Sequence, residues 1–204
     1  MIKLFKTPYY LRWIYRQRIW GFSSSDTVYL TFDDGPTLEL TEWIVDLLEE
    51  RDVKATFFCV GTNVQKHPEL VELLVSKGHA IGNHTMSHEN GNKVKQGDYL
   101  ASIASTNDLL ETNLFRPPYG RMPLKYDKGI DAQNKIVMWT WLSYDFDPKV
   151  SIEKILESAD KKIQPGAILV MHDNAKVEER VKELLPKLID LLKDKGYKFA
   201  TISA

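Results

Sequence analysis

The sequence predicts an α/β fold built on a mostly parallel sheet, because short β-rich runs alternate with helical segments of roughly 10 to 15 residues. The chain has 204 residues, of which 43% are hydrophobic, and this is enough for one sizeable core. Unusual polar residues come directly after the predicted strands. Both an open doubly wound sheet and a barrel place their sites there, so the two architectures stay open at this point.

The first half of the chain contains two strand–helix units. The β-rich run 28–32 ends at Asp33-Asp34-Gly35-Pro36, and the segment 38–50 then repeats apolar residues at helical spacing. A second helix is predicted at 68–77 and ends at Gly78. The other predicted strands of this half are 55–60 and 80–82.

The second half continues the alternation with shorter strands. The helix predicted at 151–162 begins with Ser151 as its cap, and the last helix, 177–195, contains Pro186. Further helices are predicted at 97–111 and 123–133, and strands at 114–115, 136–142, 167–171 and 198–202. No Gly-x-Gly-x-x-Gly follows the first strand, which argues against a dinucleotide-binding fold.

Charge and cysteine content exclude several classes of protein. Lys and Arg total 27 against 28 for Asp and Glu, a net charge of -1, which argues against a nucleic-acid partner held by an overall basic surface. The single cysteine, Cys59, excludes an intrachain disulfide and is predicted to lie in a core strand. No window approaches ~18 consecutive apolar residues, so no transmembrane segment is predicted.

Residues 1–25 are predicted to form a basic, aromatic extension packed on the body formed by 26–204. Aromatic side chains alternate there with basic ones, and no acid precedes Asp26. The stretch has neither the apolar centre nor the cleavage site of a secretory signal peptide, so a cytoplasmic location is expected. The alternative is contact with an anionic membrane surface, against which Pro8 and the lack of helical periodicity argue.

Two pairs of residues indicate a metal site. Asp33 and Asp34 are adjacent carboxylates that repel each other unless a cation lies nearby, so the pair indicates a metal ligand beside a base. His84 and His88 are four residues apart, and in a helical turn both imidazoles face one point. Two imidazoles and one carboxylate are typical of catalytic zinc. Taken alone, each pair has a simpler interpretation. The two aspartates could be solvent-exposed acids in a turn, and the two histidines could lie on the surface without a metal.

Three more polar residues follow predicted strands. His172 comes directly after the apolar run 167–171, and Asp145 follows the run that contains Trp141. Arg116 begins the segment Arg116-Pro117-Pro118-Tyr119-Gly120. The prolines make this loop rigid, which favours a side chain that must be held in one orientation. Because parallel strands end at a common edge, these side chains are expected to meet the Asp and His pairs.

The combination resembles the NodB-homology polysaccharide deacetylases, carbohydrate esterase family 4, over nearly all of residues 26–202. The resemblance rests on five segments in order, namely Thr31-Phe32-Asp33-Asp34-Gly35-Pro36, His84-Thr85-Met86-Ser87-His88, Arg116-Pro117-Pro118-Tyr119-Gly120, Asp145, and Leu169-Val170-Met171-His172-Asp173. It implies a distorted (β/α) barrel with fewer than eight strands and a single deacetylase catalytic domain at 26–204.

The resemblance implies that Asp34, His84 and His88 bind a divalent metal. This ligand set favours zinc, and cobalt, nickel and manganese stay open. The implied reaction removes N-acetyl groups from a glycan, with N-acetylglucosamine units of peptidoglycan or a chitin-like oligosaccharide as the expected substrate. Alternatives are an O-acetyl esterase on a xylan-like glycan, a small-amide hydrolase, or a silent metal- or sugar-binding module. The presence of both an acid and a base candidate argues against the silent module.

The resemblance also implies roles in proton transfer. Asp33 would be the general base and His172 the general acid. Arg116 would position Asp33, and Asp145 would be the carboxylate behind His172. We predict in addition that Arg116 forms a bidentate pair with Asp33. The backbone N–H of Tyr119 would face the developing oxyanion.

A few residues bear on substrate contacts. Phe146 stands where the family usually has Trp and keeps an aromatic wall, while Val170 stands where it usually has Leu. The smaller Val170 predicts a slightly roomier acyl pocket. Trp139 and Trp141 are predicted to share one strand face as a core aromatic layer rather than as a sugar platform.

Overall fold

The computed structural model describes residues 3–130 and 134–203. Its helices are α1 (Tyr9–Ile14), α2 (Leu40–Glu50), α3 (Gly61–Lys66), α4 (Pro68–Ser76), α5 (Gln96–Leu110), α6 (Ile152–Lys162) and α7 (Glu178–Asp194). Its strands are β1 (Thr27–Asp33), β2 (Thr56–Cys59), β3 (Ala80–Asn83), β4 (Leu114–Phe115), β5 (Lys135–Ile136), β6 (Trp141–Leu142), β7 (Ile168–His172) and β8 (Lys198–Phe199). Short 3-10 turns occupy Pro118–Gly120 and Leu124–Gly129.

The strands form one parallel sheet in the order β5-β4-β3-β2-β1-β7-β6, curled into a half-barrel. The two-residue β8 pairs with the beginning of β1 and so lies off this path. The expected distorted barrel with fewer than eight strands is therefore confirmed, since seven strands form the curled sheet. The sheet is not the open doubly wound alternative.

The central strands are buried because helices cover them, as a parallel sheet requires. Leu30 and Phe32 of β1 are fully buried, and β7 contributes Leu169 and Met171 to the same core. Helices α2, α6 and α7 each place an apolar stripe against that core. No helix within the described residues has the length and apolar character needed to cross a membrane.

The register brings the carboxyl ends of the strands to one edge. Asp33 of β1 lies opposite His172 of β7 and opposite Phe58 of β2. On the other side, Cys59 pairs with Asn83, and Asn83 pairs with Phe115. The residues that follow these strand ends therefore converge, as the sequence predicts.

The N-terminal segment forms backbone hydrogen bonds with the two edge strands of the sheet, β5 and β6. The Ile19 N–H donates to Ile136 O at 2.8 Å, while the Leu142 N–H donates to Phe5 O at 2.9 Å. Phe5 is buried and stacks on Trp141. These contacts cover the backbone edges of β5 and β6. The division of the chain into an extension at 1–25 and a domain at 26–204 stays a prediction.

Several predicted element bounds are wrong. The strand predicted at 136–142 is instead two short strands, β5 and β6, separated by irregular chain. The segment predicted as a helix at 123–133 forms a 3-10 turn at Leu124–Gly129, and residues 131–133 lie outside the described part. An additional short helix, α3, precedes the predicted helix that begins at Pro68.

Candidate active site

A cavity of about 850 Å³ opens at the carboxyl ends of the strands. Six of the eight residues that the sequence singles out line it, namely Asp33, Asp34, His84, His88, Tyr119 and His172. The other two, Arg116 and Asp145, are fully buried and each contacts one of the lining residues. The structure therefore brings all eight predicted residues to one site.

Asp34, His84 and His88 form the candidate metal centre. One ligand atom from each lies within 4.8 Å of the other two. The Oδ1 atom of Asp34 is 3.1 Å from Nε2 of His88 and 3.6 Å from Nε2 of His84. Burial alone would raise the pKa of Asp34, but the neighbouring imidazoles outweigh it and hold this pKa below its ordinary value, so Asp34 is ionised.

The hydrogen bonding of this triad fits a divalent metal. Asp34 Oδ1 is buried and accepts no hydrogen bond within the described residues, although buried carboxylate oxygens are normally satisfied. Nδ1 of His84 lies 2.8 Å from Arg116 O, a carbonyl that can only accept, so Nδ1 carries the proton. Nε2 of His84 is then an unprotonated lone pair facing Asp34, the tautomer that a metal ligand needs.

The expectation that His84 and His88 converge through a helical turn is wrong. Residues 84–88 form an irregular loop with left-handed backbone at Thr85 (φ 66°) and His88 (φ 59°). Asp34 also has positive φ, at 85°. Such conformations cost about 1–3 kcal/mol each in residues other than glycine and are typical of functional sites. The ligand geometry is thus held by the surrounding tertiary structure.

Arg116 contacts Asp33, but the predicted bidentate pair is wrong. Only Nη1 donates to Asp33 Oδ1, at 2.5 Å, and the same nitrogen donates to Thr31 Oγ1 at 2.7 Å. Nε and Nη2 donate instead to the carbonyl oxygens of Val137 and Met138. Those carbonyls lie in the irregular chain between β5 and β6, where they need donors, so the guanidinium joins that chain to Asp33.

We expect Arg116→Lys to lower kcat by up to roughly 100-fold, since a small misplacement of a reacting group has effects of this size. A lysine keeps the charge but cannot donate to Asp33 and both carbonyls together. Steady-state kinetics checks this. Arg18→Lys is the matched control, because Arg18 is also buried but pairs with Asp127, away from the cavity. An Arg116→Lys protein with unchanged kcat would show that only a positive charge is needed.

His172, which is partly buried, forms the second acid–base pair with the fully buried Asp145. Asp145 Oδ1 is 2.7 Å from Nδ1 of His172, and Asp145 Oδ2 accepts the backbone N–H of His172 at 2.8 Å. Burial alone would lower the pKa of His172, but the charge and hydrogen bond of Asp145, with the charges of Asp34 and Asp33, raise it to about 9. His172 therefore holds a proton at neutral pH.

Tyr119 lies at the mouth of the cavity in a left-handed conformation, with φ 59°. The residue is 61% exposed, and its ring is centred 4.6 Å from the centre of the His88 ring. Within the described residues its backbone N–H donates to no other group, whereas the N–H groups of Gly120 and Arg121 bond inside the turn. The Tyr119 N–H is thus an available donor, and its role at an oxyanion stays a prediction.

Residues that the sequence analysis missed hold the site in place. Asn174 donates to Asp34 Oδ2 at 2.7 Å, and Asn63 donates to Asp34 O at 2.8 Å. Asp34 Oδ2 is thereby occupied, which leaves Oδ1 facing the histidines. Asp173 packs so closely against Gly35 that a Cβ at Gly35 would overlap its carboxylate. Asn174 could have been predicted from the sequence, because it lies only two residues after His172 at the end of the same strand.

The apolar side chains that line the cavity include Trp139, Leu142 and Val170. The prediction that both tryptophans form a core layer is confirmed for Trp141, which is 1% exposed. Trp139 is partly buried: it packs against core side chains and also lines the cavity. Phe146 also lines the cavity, and its ring is edge-on to that of His172, with the ring centroids 5.1 Å apart. Cys59 is buried in β2, as predicted.

The chain is similar to known proteins along most of its length. The family profile described as Polysaccharide deacetylase matches residues 22–137. A peptidoglycan-N-acetylglucosamine deacetylase of Bacillus cereus is 38% identical over 184 residues, which cover 86% of this chain and 66% of that protein. A second Bacillus cereus protein of the same name is 33% identical over 184 residues, which cover 85% of each.

The fold agrees with a solved relative. The crystal structure of the Bc1960 peptidoglycan N-acetylglucosamine deacetylase superposes with a TM-score of 0.86 at 33% identity, covering 94% of each chain. The family match covers the segments with Asp33, Asp34, His84, His88 and Arg116, all of which meet at the cavity. The chain therefore belongs to the polysaccharide deacetylase family.

Proposed function

We propose that the chain is a metal-dependent hydrolase that removes N-acetyl groups from N-acetylglucosamine units of a glycan. The observation that carries this proposal is the pairing of Asp33 and His172 at the ends of adjacent strands, both lining the cavity that holds the Asp34, His84 and His88 triad. The names of the relatives, peptidoglycan-N-acetylglucosamine deacetylases, support the substrate.

Asp34, His84 and His88 are the residues that would hold the metal. Bound there, a divalent ion supplies Lewis-acid polarisation of a carbonyl and makes water more acidic, and a zinc ion suits two imidazoles and one carboxylate. Identification of the ion as zinc rests on this ligand chemistry. Cobalt, nickel and manganese are the alternatives that a metal-exchange series would compare.

The proton transfers are assigned to two residues. Asp33, held by Arg116, accepts a proton from the attacking water as its oxygen bonds to the acetyl carbon. The Tyr119 N–H donates to the carbonyl oxygen as negative charge develops there. His172 then donates its proton to the glycan nitrogen as the C–N bond breaks. Acetate and a free amino sugar are the products.

We expect Asp145→Asn to move the alkaline limb of the pH–rate profile to lower pH by about 1 to 3 units. The folded-state pKa of His172 is raised, so its acid function is present at low pH and is lost as the pH rises through about 9. Removing the Asp145 charge lowers that pKa, and the loss then comes at lower pH. Profiles of kcat/KM between pH 5 and 11 would measure the shift.

Asp147→Asn is the matched control for this profile. Asp147 lies two residues further along the same loop but pairs with Lys3 rather than with His172. Its variant should keep the alkaline limb of the wild-type chain. If the alkaline limb of Asp145→Asn does not move, then either His172 is not the acid or Asp145 is not its partner.

The substrate is tested by measuring acetate released from chitooligosaccharides, peptidoglycan fragments and acetylated xylan. Release from the first two, with little from xylan, is the expected result. Preferential release from xylan would favour the O-acetyl esterase alternative. No release from any of the three by the metal-loaded chain would favour the silent binding module or the small-amide hydrolase.

The location of the protein in the cell and its contacts with membranes or nucleic acids stay predictions. Tyr9 and Trp13 of α1 are 80% and 76% exposed, beside Arg12 and Arg16, an arrangement that supports membrane-surface contact through residues 1–25. The cytoplasmic location and the absence of a nucleic-acid partner also stay predictions.

A further inference from the structure

The first helix presents apolar side chains to solvent. Pro8 stands at the N-cap of α1, before its first turn, so it does not interrupt the helix. Tyr9, Tyr10, Trp13 and Ile14 are all exposed. Because residues four apart share a side of a helix, Tyr9 neighbours Trp13 and Tyr10 neighbours Ile14. These four residues form one apolar surface, which we call the α1 face.

The other side of α1 holds the helix against the body of the protein. Leu11 and Tyr15 pack on the buried cluster that contains Trp20. The Trp20 Nε1–H also donates to Tyr15 O at 3.0 Å. Just before the helix, the Thr7 N–H donates to Thr140 O at 2.9 Å. The α1 face is therefore turned to solvent by a helix that is fixed on its inner side.

A depression of about 210 Å³ continues the α1 face onto the 3-10 turn that begins at Leu124. Its lining residues are Ile14, Arg16, Gln17, Leu124 and Lys128. Arg16 and Lys128 are exposed, and among the described residues no acid lines the depression. Two positive charges therefore lie beside apolar side chains, and Ile14 belongs to both the depression and the α1 face.

Exposed apolar residues and positive charge are both concentrated in this part of the molecule. Eleven large apolar residues are exposed in the described chain, and five of them belong to this surface, namely Tyr9, Tyr10, Trp13, Ile14 and Leu124. Residues 1–25 contain five Lys or Arg, whereas all 28 Asp and Glu lie after them. Ordinary protein surface carries its exposed apolar residues singly, so a cluster of them flanked by cations marks an interaction site.

We propose that the α1 face and the depression dock the chain on the surface of an anionic lipid bilayer. Tyr and Trp rings have an apolar body and a polar edge, which suits the depth of the lipid headgroups. Arg16 and Lys128 bind the phosphates of those headgroups. Binding of this kind lays a helix on the bilayer and needs no spanning segment. It does not depend on the proposed deacetylation.

A second copy of this chain is a poorer occupant of the same surface. In a two-fold dimer the surface meets itself, so Arg16 and Lys128 would approach their own counterparts. Like charges brought together at an interface oppose association. A bilayer with anionic lipid instead supplies negative charge above apolar material, which complements both the cations and the α1 face.

The test measures co-sedimentation of the chain with lipid vesicles. Vesicles of phosphatidylcholine alone are compared with vesicles of which about one-third is phosphatidylglycerol. We expect the wild-type chain to bind the anionic vesicles at least about tenfold more tightly, and to lose this preference at high salt. Arg16→Gln/Lys128→Gln should weaken binding to the anionic vesicles by about tenfold to thirtyfold and remove most of its salt dependence. Tyr9→Ser/Trp13→Ser should weaken it by at least about tenfold and keep the salt dependence.

Two control variants carry matched changes outside this surface. Leu38→Ser/Val75→Ser removes two exposed apolar side chains, and Lys66→Gln/Lys154→Gln removes two exposed lysines. Both should bind vesicles as the wild-type chain does. Circular dichroism and acetate release from a soluble chitooligosaccharide should be unchanged in all four variants, which checks that each is folded.

Several results would overturn the proposal. The wild-type chain could bind neither kind of vesicle or both equally, or the control variants could lose as much binding as the other two. A dimer in lipid-free buffer that Tyr9→Ser/Trp13→Ser dissociates would also overturn it, because a second copy would then occupy the α1 face.

Discussion

Asp33→Asn is expected to lower acetate release by about 10²- to 10⁴-fold, the range that a general base contributes. Asparagine has the size of aspartate but cannot take a proton from water. The variant should keep its metal, because Asp33 is bonded to Arg116 and is not one of the triad ligands. Acetate assays and elemental analysis on the same preparation measure both properties.

Asp46→Asn is the control for this change, since Asp46 is exposed on α2, away from the cavity. It should retain wild-type turnover. Near-normal acetate release by Asp33→Asn would remove Asp33 from the role of base. Loss of the metal together with turnover would instead mean that Asp33 belongs to the metal centre.

The double variant His84→Ala/His88→Ala is expected to lose both the metal and acetate release. Two of the three ligands are removed, and a single carboxylate, Asp34, does not hold a transition-metal ion tightly. The measurement is metal content per chain after dialysis, together with turnover. Circular dichroism checks that the fold is kept, since Thr85 and His88 are in strained backbone that the change could relax.

His67→Ala is the matched control for the double variant. His67 lies before α4 and pairs with Glu69, outside the cavity. It should keep one metal ion per chain and normal turnover. A double variant that still held one tightly bound ion would show that the metal is bound elsewhere.

The convergence of the site could be predicted from the sequence because parallel strands end at a common edge. Asp33, His84, Arg116 and His172 each follow an apolar run, and the strand register brings those ends together. The curled, incomplete barrel needed the family resemblance, since strand and helix periodicity is the same in open and closed sheets.

The geometry inside the site could not be predicted, because it depends on contacts between residues far apart in the sequence. Arg116 shares its donors with Val137 and Met138, whose free carbonyls arise only because the predicted strand at 136–142 is interrupted. The left-handed backbone at His88 is held by surrounding structure against its local preference. The local sequence pattern predicts neither the hydrogen bonds of Arg116 nor the backbone conformation of His88.

We propose above all that the triad of Asp34, His84 and His88 and the acid–base pair of Asp33 and His172 act together on an N-acetylated glycan. The most direct test measures acetate release from an N-acetylglucosamine oligomer before chelation, after chelation, and after addition of one equivalent of zinc per chain. We expect acetate release to be lost on chelation and to recover at one equivalent of zinc. Acetate release that persists in the fully chelated chain would contradict this proposal.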